Sequence, residues 1–335
     1  MFDKVCIANR GEIAVRVVRA CRELGVRTVL ACAEVDRTTL AARLADEVVL
    51  MRGLQGRQAY LTADRLVEAA TSAGAQAVHP GYGFLSENAE FSRRCEEAGL
   101  VFIGPGPAAI ASLGDKVEAR RIMAGAGVPI VPGTPDPVAH EKAACEEAER
   151  IGYPVLIKAA GGGGGRGMRL ARDAAELERV FPQARSESQA SFGSASLFLE
   201  RFFERPRHIE VQVLADRHGK AIHLWERECS VQRRFQKMFE EAPSPFLDPD
   251  TRLAMGHAAV RGTLAAGYVG AGTFEFLVDQ DRRFYFLEVN TRLQVEHPVT
   301  EAITGVDLVQ EQLRIAAGMP LRWTQEEIRP RGWAV

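Results

Sequence analysis

The stretch Y-P-V-L-I-K-A-A-G-G-G-G-G-R-G-M-R-L, residues 153–170, decides the fold of this chain. An apolar run that carries Lys158 leads into five consecutive glycines at 161–165. Glycine has no side chain to obstruct its backbone N–H groups, so a loop of this kind can close over phosphate groups. The stretch predicts a phosphate-binding loop, and the residues around it indicate which type.

Neither of two common phosphate-binding motifs accounts for this stretch. A P-loop needs G-x-x-x-x-G-K-[ST], and no lysine followed by Ser or Thr comes after these glycines. The dinucleotide pattern G-x-G-x-x-G is met by Gly162, Gly164 and Gly167, but that pattern opens directly into a helix. Here residues 168–171 predict a short strand, and a helix begins only at the favourable N-cap Asp173.

We therefore interpret the glycines as a flap between two strands. The alternative is a disordered glycine linker, which the flanking apolar strands and Lys158 argue against.

Composition excludes several classes of protein. The 335 residues predict about two or three domains. The chain is 46% hydrophobic and 26% charged, and its net charge of −2 gives no support for binding nucleic acid. Its six cysteines include no C-x-x-C pair, which is typical of reduced, buried thiols in an intracellular protein. No apolar run has transmembrane length, and a strand at Lys4 leaves no room for a signal peptide, so we expect a cytoplasmic protein with no membrane partner.

The first hundred residues alternate between strand and helix patterns. Strands are predicted at 4–8, 26–32, 47–50, 77–78 and 101–103, and helices at 12–24, 60–73 and 88–99. Such alternation predicts an α/β fold that begins with a parallel, helix-covered, Rossmann-like sheet. The turn N-R-G-E at 9–12 fits either an anion site at a helix start or a plain strand-to-helix turn. The Gly-, Pro- and aromatic-rich loop 79–88 is a candidate to line a site.

Prolines suggest how the rest of the chain is divided into domains. We predict an N-terminal domain at 1–113 and a helix and linker at 114–137, where four prolines cluster. A lid subdomain with the glycine flap follows at 138–203, and a catalytic subdomain at 204–335.

The last segment predicts a hairpin that carries carboxylates. Strands at 273–278 and 283–289, joined by a tight loop at Asp281 and Arg282, would place Glu275 directly opposite Glu288, with Asn290 on the same face. Opposed like charges repel, so a cation is expected between them, and oxygen ligands suit Mg²⁺. The alternative is a solvated sheet face.

Basic residues recur nearby. Arg233, Arg234 and Lys237 lie close together in sequence, and Arg292 follows the hairpin. Alone, such a group is typical of a solvated basic face. Beside a metal and phosphates it is a candidate anion pocket.

Together these parts resemble the ATP-grasp superfamily, and specifically the biotin carboxylases, from Lys4 to Val335. The motifs that carry the resemblance stand in the family's order: A-N-R-G-E-I-A at 8–14, H-P-G-Y-G-F-L-S-E-N-A at 79–89, G-D-K at 114–116, A-A-G-G-G-G-G-R-G-M at 159–168, R-H-I-E-V-Q at 207–212, E-A-P-S-P at 241–245, G-T-F-E-F at 272–276 and E-V-N-T-R-L-Q-V-E-H-P-V-T-E at 288–301.

The resemblance implies a role for each matched position. Nucleotide contacts fall on Lys116, Lys158, Gly163, Gly164, Gly165, Gly167, Glu200, Arg201, Phe203, His208, Gln232, Glu275 and Glu288, and metal ligands on Glu275, Glu288 and Asn290. The bicarbonate pocket falls on Lys237, Arg292, Gln294 and Val295, with Glu296 as general base; Lys237, Arg292 and Glu296 form the catalytic set. Tyr82 and Gly83 fall on the side that binds biotin.

The resemblance also implies cofactors and partners. These are ATP with Mg²⁺ or Mn²⁺, bicarbonate, biotin on a carboxyl carrier protein or domain, a carboxyltransferase and a homodimeric complete protein. The implied reaction passes through carboxyphosphate, which the glycine flap would shield from water.

Two departures qualify the resemblance. Family members continue beyond Val335 with an arginine that holds the ureido oxygen of biotin, so the chain is expected to be truncated. Phe235 stands where they commonly carry His or Asn. The alternatives are another ATP-grasp ligase, which the run at 292–301 argues against, and a non-catalytic ATP-binding fragment.

Overall fold

The computed structural model describes residues 1–159, 168–234 and 236–335 and, within these ranges, three β-sheets flanked by helices. The strands are β1 Lys4–Ile7, β2 Arg27–Cys32, β3 Glu47–Leu50, β4 Ala77–His79, β5 Val101–Phe102, β6 Val155–Ala159, β7 Met168–Ala171, β8 Leu197–Arg201, β9 Arg207–Ala215, β10 Ala221–Arg233, β11 Gln236–Glu241, β12 Gly270–Val278 and β13 Phe284–Asn290. The helices are α1 Gly11–Glu23, α2 Leu40–Leu44, α3 Ala63–Ser72, α4 Ala89–Glu97, α5 Pro107–Gly114, α6 Lys116–Gly125, α7 Glu141–Ile151, α8 Ala174–Phe192, α9 Pro249–Ala265, α10 His297–Thr304 and α11 Leu308–Ala316.

The first sheet confirms the predicted α/β start of the chain. Its strand order is β3-β2-β1-β4-β5, and every neighbouring pair is parallel. Helix α1 packs Ile13, Val17 and Cys21 into the core because these residues recur on one helix face. Helix α3 begins at Ala63 rather than at residue 60, because a 3₁₀ turn over Gly56–Tyr60 precedes it.

The second sheet is antiparallel in the order β11-β10-β9-β12-β13. One face of β9 packs Ile209, Val211 and Val213 into a core shared with α6 and α9. Side chains alternate along a strand, so the other face of β9 carries His208, Glu210 and Gln212. This polar face positions the site described below.

The third sheet is small and antiparallel, in the order β7-β6-β8, with α7 and α8 packed on it. Lys158 on β6 lies opposite Met168 on β7, so the glycine-rich stretch is followed by a strand, as the sequence predicts. Asp173 caps α8 by accepting the N–H of Glu176 at 2.8 Å. The glycine flap itself, with the nucleotide contacts Gly163, Gly164, Gly165 and Gly167, lies outside the described residues, as does Phe235.

The proline-rich segment at 129–137 connects two of these sheets. The N–H of Phe286 donates to the carbonyl of Pro129, and the N–H of Arg201 donates to that of Pro132, both at 2.7 Å. Gly133 lies so close to β8 that a Cβ there would meet the Leu199 carbonyl oxygen at 2.6 Å. The predicted linker is therefore bound by its backbone to β13 and β8. The domain division proposed from the sequence stays a prediction.

The turn between β12 and β13 differs from the predicted two-residue loop at Asp281 and Arg282. Val278 pairs with Phe284, and the N–H of Asp279 donates to the Arg283 carbonyl at 2.9 Å. Arg282 adopts a left-handed conformation with φ of 62° to close this longer turn.

A longer turn alone would move the pairing of the strands by one residue. A β-bulge between Glu275 and Phe276 removes this shift, because Phe276 pairs with Phe286 while Glu275 pairs with Glu288. The predicted opposition of Glu275 and Glu288 is present, although the turn that the sequence analysis assumed is absent.

Among the described helices, none combines the length and the apolar character needed to cross a membrane.

Candidate active site

A cavity of about 530 Å³ lies between α6, the small sheet and β13, within the usual size range of small-molecule sites. Its body is apolar, with Ile130, Val131 and Phe198 in the wall. Charged side chains in its lining include Lys116, Lys158, Arg120, Glu200 and Glu288. The cavity thus offers an apolar surface for a flat ring and cations for phosphates.

Glu200 joins two cations of this cavity. Its carboxylate pairs with Lys158 and accepts the Arg120 guanidinium at 2.8 Å. Of the predicted nucleotide contacts next to Glu200, Arg201 donates to the Ile151 carbonyl at 3.2 Å, and Phe203 stacks on Tyr285 with ring centroids 4.9 Å apart. The structure therefore places Glu200, Lys116 and Lys158 together and directs the side-chain contacts of Arg201 and Phe203 elsewhere.

Lys237 is the centre of a second cluster, on the polar face of the antiparallel sheet. Its Nζ atom lies 2.9 Å from Glu275 Oε1 and 2.8 Å from Glu296 Oε1, and it also contacts Glu210. Burial alone would lower the pKa of Lys237, but the charges of Glu210 and Glu275 raise it well above its usual value. This lysine is held as a cation in contact with three carboxylates.

The pKa of Glu296 is lowered in this cluster. Burial acts to raise it, but the charges of Lys237 and Arg227 and the hydrogen bond from Lys237 outweigh burial. Glu296 is therefore ionised at neutral pH and available as a proton acceptor.

Glu275 receives most of the polar contacts at the hairpin. Its carboxylate accepts Asn290 Nδ2 at 2.7 Å and Gln294 Nε2 at 3.1 Å, and lies 2.6 Å from His208 Nε2. Against the effect of burial, His208 and Lys237 lower the pKa of Glu275, and Glu275 in turn raises the pKa of His208.

Glu288 has the opposite environment. Burial first, and then the charge of Glu275, raise its pKa, and within the described ranges no hydrogen bond reaches its carboxylate. Two opposed carboxylates, one buried and one partly buried, with an amide beside them are a donor set that fits a hard divalent cation, which would relieve their repulsion. The residues present therefore fit the metal expected from the sequence.

The predicted anion pocket lies next to these carboxylates. Arg292 donates through Nη2 to Asn290 Oδ1 at 3.2 Å, and Gln294 is buried while Val295 is 58% exposed. Gln232 pairs across the strands with Lys237 and donates to the Cys229 carbonyl at 3.0 Å.

The loop at 79–88 is bound to the N-R-G-E turn. Asn9 Nδ2 donates to the carbonyls of Pro80 at 2.6 Å and Tyr82 at 2.8 Å, and the Tyr82 hydroxyl contacts Glu12. Gly81 has φ of +63°, and a Cβ there would meet Asn9 Nδ2 at 2.8 Å. Between the two alternatives for this turn, these contacts favour an internal support for the loop of Tyr82 and Gly83.

Glu87 connects the same loop to the anion pocket. It accepts the Thr291 N–H and Arg292 Nε, each at 3.0 Å. The positions predicted for biotin and for bicarbonate are thereby joined through one carboxylate.

Four residues of these clusters were missed in the sequence: Glu87, Arg120, Glu210 and Arg227. Glu210 had a signal, because it alternates with His208 and Gln212 in R-H-I-E-V-Q. Arg227 had none of comparable strength, since a single arginine in W-E-R-E-C is usual on a surface strand. Its complete burial appears only when β9, β12 and α10 surround it.

Comparison with known proteins identifies the family of this chain. Residues 1–110 match the family model for the N-terminal domain of biotin carboxylase, and residues 115–324 match the ATP-binding domain of the carbamoyl-phosphate synthase L chain. The chain is 53% identical to the biotin carboxylase of Nostoc sp., over 100% of this chain and 75% of that protein. It is 50% identical to biotin carboxylase 2 of Bacillus subtilis, over 100% of this chain and 76% of that protein.

Solved structures give the same result. The biotin carboxylase domain of Hydrogenobacter thermophilus 2-oxoglutarate carboxylase, a dimer in complex with MgADP, ADP and bicarbonate, superposes with a TM-score of 0.89 at 50% identity, covering 99% of this chain and 73% of that one. The Campylobacter jejuni biotin carboxylase in complex with a β-γ-ATP ligand superposes with a TM-score of 0.90 at 43% identity, covering 99% and 74%.

The fold and the site define an ATP-grasp ligase, with a parallel-sheet domain ahead of the nucleotide-binding part. The chain belongs to the biotin carboxylase family, which confirms the resemblance seen in the sequence.

Proposed function

We propose that this chain catalyses the ATP- and bicarbonate-dependent carboxylation of biotin on a carrier protein, through carboxyphosphate. One observation carries the proposal: Lys237 Nζ lies within 2.9 Å of Glu275, a carboxylate of the expected metal site, and within 2.8 Å of Glu296, the expected base. Lys237 would thus contact both the site that holds the metal at the phosphates and the base that deprotonates bicarbonate.

ATP would occupy the cavity beside β13. The apolar wall suits adenine, and Lys116 and Lys158 are placed to bind phosphates. Lys158 would exchange its contact with Glu200 for the nucleotide, while Arg120 continues to compensate the charge of Glu200. The glycines of the flap, Gly163, Gly164, Gly165 and Gly167, would cover the phosphates through their N–H groups.

Glu275, Glu288 and Asn290 would hold Mg²⁺ or Mn²⁺ at the phosphates. A bound divalent ion neutralises the charge that develops on the transferred phosphoryl group. His208 and Gln294 orient Glu275 through the hydrogen bonds that they donate to it.

Glu296 would take the proton of the bicarbonate O–H group. Lys237, Arg292, Gln294 and the backbone of Val295 would bind the resulting anion as donors. One bicarbonate oxygen then bonds to the γ-phosphorus as the bond from that phosphorus to the β-γ bridging oxygen breaks, which yields carboxyphosphate and ADP.

Carboxyphosphate would break into CO₂ and phosphate beside biotin. The ureido nitrogen of biotin bonds to CO₂, and its proton passes to the departing phosphate. Tyr82 and Gly83 would line the biotin side, on a loop held by Asn9 and joined to Arg292 through Glu87.

The partners in this proposal are a biotin carboxyl carrier and a carboxyltransferase, in the cytoplasm. Several relatives are parts of larger carboxylases, among them the propionyl-CoA carboxylase alpha chain of Ruegeria pomeroyi, and a homodimer is proposed because the Hydrogenobacter domain is one. The Nostoc and Bacillus relatives favour this function over that of another ATP-grasp ligase or of a non-catalytic ATP-binding fragment.

The test is ATP hydrolysis with Mg²⁺, measured with and without bicarbonate and with and without free biotin. We expect turnover that requires bicarbonate and is stimulated by biotin. Hydrolysis indifferent to bicarbonate would refute the proposal, and ATP binding without any turnover would favour the non-catalytic alternative.

A further inference from the structure

Arg227 on β10 is among the largest side chains that the structure buries completely. A buried guanidinium is costly unless its donors are satisfied, because it loses its hydration. Its nitrogens have five acceptors: Glu210 Oε1 at 2.5 Å, Gln212 Oε1 at 2.9 Å, Thr300 Oγ1 at 2.7 Å, Thr273 Oγ1 at 3.4 Å and Gln294 Oε1 at 2.9 Å. Two of these acceptors, Glu210 and Gln294, contact the candidate site directly.

The first connection passes through Gln294. Its Oε1 accepts Arg227 Nη2 at 2.9 Å, and its Nε2 donates to Glu275 Oε1 at 3.1 Å. A guanidinium can only donate hydrogen bonds. It is therefore compatible with only one of the two orientations of the Gln294 amide, the one that turns Oε1 toward Arg227. Arg227 therefore keeps the N–H donors of Gln294 directed toward the site.

The second connection passes through Glu210. One oxygen of this buried carboxylate pairs with Arg227 and the other with Lys237. Without the guanidinium, Glu210 would be compensated by Lys237 alone. The lysine would then be drawn from Glu275 and Glu296 toward Glu210.

We propose that Arg227 is a positioning residue for the anion-binding part of the site: it sets the amide orientation of Gln294 and shares Glu210 with Lys237, so that both side chains present donors to bicarbonate. The inference rests on the proposed function, in which Gln294 and Lys237 bind that anion.

The test compares Arg227→Lys with the wild type. Lysine keeps the charge but lacks the planar fork, so it cannot bond Glu210 and Gln294 in the same way. We expect the KM for bicarbonate to rise about tenfold or more, the size expected for a lost charge-assisted hydrogen bond, while the KM for ATP stays within about twofold. Arg217→Lys, on an exposed turn, is the matched control and leaves both constants unchanged.

A purely structural role is separated by a double variant. If Arg227 acts through Gln294, Arg227→Lys changes the bicarbonate KM much less in a Gln294→Ala background than in the wild type. Equal effects in both backgrounds, or a lowered melting temperature with an unchanged bicarbonate KM, overturn the proposal.

If Arg227→Lys does not fold, Thr300→Val carries the test, because it removes one acceptor of Arg227 and keeps the side-chain shape. A higher bicarbonate KM with an unchanged ATP KM supports the proposal, and two unchanged constants overturn it. Absence of bicarbonate-dependent turnover in the wild type overturns the proposed function together with this inference, whereas a failure confined to the variants overturns the inference alone.

Discussion

Replacing Glu288 by Gln separates a metal-binding role of the hairpin from a merely structural one. Glu288 lies opposite Glu275, and burial and this neighbour raise its pKa. A carboxyl group whose pKa is higher in the folded chain than in the unfolded chain destabilises the fold increasingly as the pH rises above the unfolded value, and by the full amount once the pH exceeds the folded value. The neutral Glu288→Gln side chain should therefore make the metal-free protein more stable at neutral pH, while it weakens metal-dependent turnover.

The two effects differ in size and sign. Relief of a like-charge cross-strand pair is worth about 0.2–1 kcal/mol, or about 0.3–1.4 °C in melting temperature for a chain of this length. Wild-type protein with ATP·Mg²⁺ at about 100 times its Kd gains about 2.7 kcal/mol, so its melting temperature rises by about 4 °C. If loss of one ligand weakens binding about 100-fold, the same concentration gives the variant only about 0.4 kcal/mol.

The assay is thermal unfolding of both proteins, with and without ATP·Mg²⁺, from about pH 3.5, below the unfolded pKa of Glu, to about pH 8. The stability advantage of Glu288→Gln should vanish below the unfolded pKa of about 4.3, grow as the pH rises from there to the raised pKa of Glu288, and stay constant above it. Glu146→Gln, at an exposed position of α7, is the matched control and should change neither property. A metal-free variant less stable than the wild type at pH 7, or Mg²⁺-dependent turnover within twofold of the wild type, would refute the reasoning.

Two further substitutions address the other parts of the site. Lys237→Gln removes the larger of the two charges that lower the pKa of Glu296, so turnover should fall by about 100-fold or more and the acid limb of its pH profile should move upward. Steady-state rates from about pH 4 to about pH 9 measure this, because the wild-type limb lies below the usual pKa of Glu. The exposed Lys142→Gln is the control, and an unmoved limb contradicts the prediction. Tyr82→Phe removes the contact with Glu12 and should raise the KM for biotin about three- to tenfold while the bicarbonate KM is unchanged, and equal changes in both constants would count against a role on the biotin side.

The sequence correctly predicted that Glu275 lies opposite Glu288, although the turn assumed in that prediction is not the one observed. Period-two alternation correctly gave the polar face that holds Glu275, Glu288 and Asn290. The longer turn and the bulge compensate for each other, and neither has a local sequence signal as strong as an Asn-Gly turn would be. The predicted pairing of Glu275 with Glu288 matches the observed one because the turn and the bulge shift the strand register in opposite directions.

The linker shows a second limit of the sequence. The prolines at 129–137 predict an irregular segment, and the segment is irregular. Its backbone bonds to β13 and β8 depend on partners about 155 and 70 residues away in the chain, respectively, which no local pattern encodes.

What the sequence determined by itself is the set of local elements, the alternation of side chains along them and the ordered motifs that mark the family. These features depend on residues near one another in the chain, so their physical causes can be identified from the amino-acid sequence. Only the tertiary structure decided which charges meet. Lys237 contacts Glu210, Glu275 and Glu296 because three strands and the start of α10 converge there, and Arg227 is buried because the same elements enclose it. Burial and long-range charge set the pKa values of these groups, and both are properties of the assembled fold.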